Sequence, residues 1–160
     1  MAAFAFSHTW RVNAAPDVVF DVLADVDGYP RWWPQVKSVE RIDESSGRAV
    51  VRSLLPYRLH LVMTREIEDR GSGVLRVQLA EDLIGFAQFT VPPPEQPERL
   101  GRPGPIEIDY QQVVEIGSAA LRRVSGLVAP VLRANHTAMM LSGESGLQAA
   151  CADLDRRSGA

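Results

Sequence analysis

Apolar and polar residues alternate from Phe4 to Val12. Phe4, Phe6, His8, Trp10 and Val12 fall on one side; Ala5, Ser7, Thr9 and Arg11 fall on the other. A period of two, rich in aromatics, predicts a strand. Asn13–Pro16 breaks the pattern. Pro16 suits the first position of a helix, and Asp17 complements the positive end of the helix dipole. Val19, Phe20, Leu23 and Val26 then recur at helical spacing. This helix is expected to stop between Asp25 and Gly28. Tyr29–Pro34 is expected to form a second short helix or a tight turn, carrying the adjacent Trp32 and Trp33 between Pro30 and Pro34.

From Val36 the strand pattern returns. Strands are predicted over Val36–Asp43, Arg48–Leu55, Arg58–Asp69, Val74–Glu81, Ile84–Val91 and Ile106–Ile116. Polar turns fall at Glu44–Gly47 and Arg70–Gly73, with a break at Pro56–Tyr57. Short connections between successive strands favour an antiparallel meander. Pro92–Pro105 is too rich in proline and glycine for a central strand or helix and reads as a long, mobile hairpin loop.

Beyond Gly117 the pattern is helical. Leu121, Val124, Val128, Leu132, Asn135, Met139 and Ser142 trace one face. Pro130 is expected to kink this helix or to mark a junction. Gly143 and Gly146 are poor helix formers, and close approach of another backbone is the best reason for them. The last residues are polar and are expected to fray, leaving 158–160 as a disordered tail. The element order predicts one α+β domain over residues 1–157, in which a long helix covers one face of a curved antiparallel sheet.

Composition narrows the function classes. With 160 residues the chain can bury a core and still leave a cavity. Its formal net charge of −3 argues against a general nucleic-acid binder. Cys151 is the only cysteine, so an intrachain disulfide and a multi-cysteine zinc site are both excluded. No His/Asp/Glu spacing resembles a metalloenzyme motif, and there is no glycine-rich phosphate loop and no nucleophile elbow. No apolar run approaches the roughly 20 residues of a membrane span. A cytoplasmic protein, monomer or homodimer, without metal or cofactor, is the expectation.

Two segments carry a resemblance to a known family. APDVVFDVLADVDGYPRWWPQV, from Ala15 to Val36, and APVLRANHTAMMLSGESGL, from Ala129 to Leu147, resemble the START-like (birch-pollen-allergen-like) superfamily, SRPBCC, of the polyketide cyclase/dehydrase type. DLIGFAQFTV, from Asp82 to Val91, adds a weaker match. The Pro92–Pro105 segment stands where the family has a Gly-Thr turn. The resemblance implies a helix-grip fold: a curved antiparallel sheet of about seven strands wrapped around a long C-terminal helix, two short helices after the first strand, and a cavity between sheet and helix. Members of the superfamily bind lipids, hormones, polyketides or quinones, and some catalyse cyclisation and dehydration.

Such a cavity would be mostly apolar, with a few polar groups to orient a ligand. The polar candidates on strands are Arg52, Arg58, His60, Gln78, Gln88, Tyr110 and Gln112. For Arg58–Asp69 the sequence leaves two registers open, one placing His60 inside and one placing Arg65 inside. On the helix, Asn135 lies on the apolar stripe with Met139. His136 is next to it, about 100° away, so both are not expected to point straight inward. Each has a structural reading, a hydrogen bond that fixes the helix, and a functional one, ligand contact or proton transfer. His8 reads as an ordinary strand residue. Trp32 and Trp33 read as a plug for the sheet's end, a lid at the cavity mouth, or one of each.

The leading expectation is binding of a hydrophobic or aromatic small molecule, such as a polyketide, lipid or isoprenoid, through Trp32, Trp33, Arg52, His60, Tyr110, Asn135 and Met139. The alternative is an aromatase/cyclase-like enzyme, in which Arg52 polarises a carbonyl and His60 or His136 moves protons. A third class is an interaction module whose interior is filled by its own side chains. A cavity of less than about 300 Å³ would take the main support from the first two; a purely apolar lining would rule out the enzyme, and an arginine and a histidine converging on one point would favour it.

Overall fold

The computed structural model describes residues 3–52, 58–93, 105–123 and 125–158; side chains at 120, 121, 125–128 and 158 are not described. Seven antiparallel strands form one sheet: β1 (Ala3–Val12), β2 (Val36–Arg41), β3 (Ser46–Arg52), β4 (Arg58–Asp69), β5 (Val74–Glu81), β6 (Leu83–Thr90) and β7 (Ile106–Ile116). Their spatial order is β1-β7-β6-β5-β4-β3-β2. After β1 come α1 (Pro16–Ala24), a 3-10 turn (Val26–Gly28) and the four-residue α2 (Tyr29–Trp32). The chain finishes with α3 (Ala119–Arg123) and the 34-residue α4 (Ser125–Ser158). This is the α+β helix-grip architecture, with its curved open sheet and long final helix.

Several boundaries move from those the sequence predicts. β3 begins at Ser46, because the preceding turn tightens around Asp43, whose carboxylate accepts bonds from the Ser45 and Ser46 amides at 2.9 and 2.8 Å. β5 and β6 are joined through Asp82 alone. Pro130 lies inside α4 and not at a junction. Pro16 opens α1 as expected, with Asp17 in its first turn. Helix α4 reaches Ser158, the first residue assigned to a tail. The Pro56–Tyr57 break and nearly all of the Pro92–Pro105 loop fall outside the described residues.

The core divides in two. One cluster packs α1 and the C-terminal half of α4 against Trp10, Trp33, Phe89 and Ile108. The other gathers Phe4, Val51, Leu59, Leu61, Leu79 and Val114, with Leu132 and Met139 of α4 packed on it. Gly143 and Gly146 of α4 serve the first cluster. A Cβ on Gly146 would lie 1.8 Å from the Trp32 carbonyl oxygen, and one on Gly143 would lie 2.7 Å from the Trp33 ring and 2.8 Å from that of Trp10. The missing side chains let α4 settle onto α2 and the paired tryptophans. Among the described residues no helix is long and apolar enough to cross a membrane.

Candidate functional site

Between sheet and helix lies a cavity of about 230 Å³, and both core clusters contribute to its wall. Strand pairing fixes which side chains face it. Phe6 pairs with Gln112, which pairs with Ala87; His8 pairs with Tyr110, which pairs with Phe89. Alternation then turns Phe4, Phe6, Tyr110, Gln112 and Val114 onto the concave face, and α4 lays Leu132, Asn135, His136 and Met139 over them. Most of this lining is apolar. Among the described residues, the buried polar ones are Gln112, Asn135 and His136, joined by the Tyr110 hydroxyl. At the rim, the exposed Asp25, Asp27, Arg41, Asp43 and Glu44 frame the opening.

Three of these groups form one hydrogen-bonded unit. The Tyr110 hydroxyl donates to Gln112 Oε1 at 2.6 Å. His136 Nε2 lies 3.0 Å from the same oxygen. An amide oxygen accepts but cannot donate, so the network assigns the imidazole proton to Nε2. The ring stacks on Phe6, with centroids 3.8 Å apart, and His8 stands 5.2 Å away. Burial, with a smaller push from His8, lowers the His136 pKa to about 4, so the ring is neutral near pH 7. Burial also raises the pKa of Tyr110, keeping its hydroxyl protonated.

The predicted site residues separate into two groups. Tyr110, Asn135, His136, Met139 and Trp33 meet around the cavity. Trp33 also donates from Nε1 to the Met139 carbonyl at 2.9 Å, tying α2 to α4. Arg52 and His60 do not join them, a correction to the expectation. Both are exposed, Arg52 opposite Arg58 and His60 opposite Val50. The reason is the register of β4: Leu59, Leu61 and Met63 take the concave face, which turns the even-numbered residues outward. Trp32 is half-buried and stacks on Trp33 at 5.4 Å, but it is not on the cavity wall. Of the strand glutamines, Gln112 alone lines the cavity; Gln78 is exposed and Gln88 bonds to Thr90.

Asn135 and His136 are both 8% exposed and both reach the wall, another correction. The sheet curls around two sides of α4, so neighbours about 100° apart can each meet it. Two features escaped the sequence reading. His8 stands beside His136, a placement implied by its strand face with Phe6 and Trp10. The rim pair, Arg41 to Asp27 at 2.6 Å, joins β2 to the 3-10 turn and had no local signal. The other arginines on the wall are also held by carboxylates, Arg65 by Glu68 at 3.1 Å and Arg76 by Glu66 at 2.8 Å. Among the described residues no group of three His, Cys, Asp or Glu side chains could hold a metal.

Known proteins agree with this architecture. Residues 12–90 match the sequence profile of the family described as polyketide cyclase / dehydrase and lipid transport. No curated protein matches significantly in sequence. Among solved structures, the Zhui aromatase/cyclase from Streptomyces sp. R1128 superposes with a TM-score of 0.74 at 18% identity, over 93% of this chain and 94% of that one. A START superfamily protein from Mycobacterium smegmatis gives 0.63 at 15% identity, over 94% and 98%. The di-domain ARO/CYC BexL, from the BE-7585A biosynthetic pathway, gives 0.68 at 14% identity, over 93% of this chain and 50% of that one. Residues 12–90 thus match the polyketide cyclase / dehydrase and lipid transport family, and the chain as a whole shares the helix-grip fold of these START-like structures.

Proposed function

We propose that this protein binds a small, uncharged, largely apolar molecule between its sheet and α4. The observation that carries this reading is the apolar cavity with a single buried polar end, made by Tyr110, Gln112, Asn135 and His136. An interior filled by its own side chains would leave no such space. Volume limits the occupant. Sites for drug-sized ligands run from about 300 to 1,000 Å³, whereas an apolar cavity of about 150 Å³ holds benzene. At about 230 Å³ the cavity falls short of the expected volume of about 300 Å³, so the reading is confined to a small occupant: the site suits one or two fused rings, or a chain of similar bulk, and is too small for a long polyketide without rearrangement. Native mass spectrometry of the purified protein, followed by thermal shift with bicyclic aromatics and short lipids, tests the reading. Co-purified ligand or a concentration-dependent rise in melting temperature is expected. A flat response across the panel, with no bound mass, would refute it.

Cyclisation or dehydration is the second reading. Its support is the match to the cyclase/dehydrase family, the likeness to two aromatase/cyclases, and a neutral histidine at the polar end. Against it stands the engagement of Arg41, Arg65 and Arg76 on the wall by carboxylates, so that among the described residues no free guanidinium stands beside His136 to polarise a carbonyl. Turnover of a short poly-β-ketone mimic that is lost in His136→Gln would favour catalysis over binding alone.

A further inference from the structure

Gln112 has a property that its burial alone does not require. Its Oε1 already accepts two hydrogen bonds, from Tyr110 and from His136. An amide oxygen has two lone pairs, so its accepting capacity is used. Rotating the amide by half a turn would make His136 Nε2 an acceptor and move the ring proton to Nδ1, which is buried without a partner, leaving an orphaned N–H. The orientation is therefore fixed. Its Nε2 has no partner among the described residues. Some buried polar atoms are without partners because they are sealed from open space, as are Trp10 Nε1, Gln35 Oε1 and His136 Nδ1. Gln112 Nε2 is not one of these, and its residue lines the cavity.

We propose that Gln112 determines the ligand chemistry of this cavity, as an amide locked with its N–H donors toward the occupant, so that the site selects a neutral molecule bearing a carbonyl oxygen. Tyr110 and His136 act as positioning residues, through the amide and not on the ligand. This inference rests on the binding reading above. It adds that the occupant places a ketone, quinone or ester carbonyl against Gln112, with its apolar body between the sheet and α4. Among the described residues an anionic occupant finds no unpaired cation at this end, because His136 is neutral and Arg41, Arg65 and Arg76 are engaged.

The test compares two probes of one shape, 1-tetralone and tetralin, which differ by a single carbonyl. Binding of each is measured by calorimetry at pH 8 to wild type, Gln112→Met and Gln112→Glu. Gln112→Glu retains an acceptor for Tyr110 and His136 and replaces the cavity-facing N–H donors by an oxygen. Gln112→Met removes both functions at similar volume. Because tetralin is the more hydrophobic probe, the readout is the tetralone-to-tetralin affinity ratio. One neutral hydrogen bond predicts a fall of about threefold to tenfold in this ratio in Gln112→Met, and at least as much in Gln112→Glu. A ratio unchanged in both folded variants overturns the proposal and leaves cavity binding standing. So does wild type that binds tetralin and not tetralone. Wild type that binds neither overturns both.

Discussion

Gly146 of α4 lies against the backbone of Trp32 in α2, so that any side chain on the glycine would meet the Trp32 carbonyl oxygen. In an exposed helix, Gly→Ala would gain about 1 kcal/mol. Here a Cβ would sit 1.8 Å from that oxygen, and backbone cannot rotate away as a side chain can. Gly146→Ala is therefore expected to lose roughly 2–3 kcal/mol by forcing α2 from α4. Urea unfolding measures this. A midpoint equal to or above that of wild type would show that the two helices do not depend on the contact.

The two tryptophans should respond differently to truncation. Trp33 is buried, anchored to the Met139 carbonyl and in edge contact with Trp10 at 5.4 Å. Trp33→Ala should cost about 3–5 kcal/mol. Trp32 is half-buried and off the cavity wall, so Trp32→Ala should cost about 1–2 kcal/mol and leave probe binding unchanged. Melting curves and tetralin titrations separate these outcomes. A stable Trp32→Ala protein that no longer binds would restore the lid reading of that ring.

Glu81 has φ of 78°, the left-handed region that non-glycine residues avoid at roughly 1–2 kcal/mol. It sits at the tight β5–β6 connection, where Gly117 approaches its carbonyl. Its ion pair with Arg48, at 3.3 Å, is well exposed on both sides and returns little. Asparagine tolerates this conformation better. Glu81→Asn should raise stability by about 0.5–1 kcal/mol, or about 1–3 °C in melting temperature. A lower melting temperature would mean that the ion pair outweighs the strain.

His136 links stability to pH. Folded, it takes up a proton only near pH 4; in the unfolded chain it does so near 6.5. Between these values the unfolded state binds more protons, so stability rises with pH across the window and is lost as pH falls through it. The interval corresponds to roughly 3 kcal/mol in full, with roughly 2 kcal/mol of it lost between pH 7 and pH 5. Above pH 7 this group contributes no slope. His136→Gln should flatten the acid limb between pH 7 and pH 4.5. If denaturation midpoints of wild type and variant run parallel there, His136 is not buried in its neutral form.

Much of the fold could be read from the sequence, because period and punctuation are local. The Phe4–Val12 alternation, the proline at the start of α1 and the glycines of α4 each announced an element or a contact. The site was only partly readable. In β4 the odd residues Leu59, Leu61 and Met63 compete with Val62 and Thr64 for the concave face, and the choice depends on pairing with Ala49 and Val51 across β3. Arg52 and His60 were misplaced by that non-local choice. The inward placement of both Asn135 and His136 depends likewise on how far the sheet curls. Gln112 was visible as a polar strand residue, but its importance comes from Tyr110 on its own strand and His136 on a distant helix.

The division of the core bears on how the cavity admits a molecule. From Gly143 to Cys151, α4 is clamped by tryptophans and buried aliphatic groups; from Leu132 to Met139 it forms one wall of the cavity, packed on the second cluster only in part. Contact density sets the free energy of local opening. Amide hydrogens near Leu147 should therefore exchange only through global unfolding, while those around Leu132 exchange through a smaller excursion. A ligand that fills the hollow would slow exchange in the second set alone.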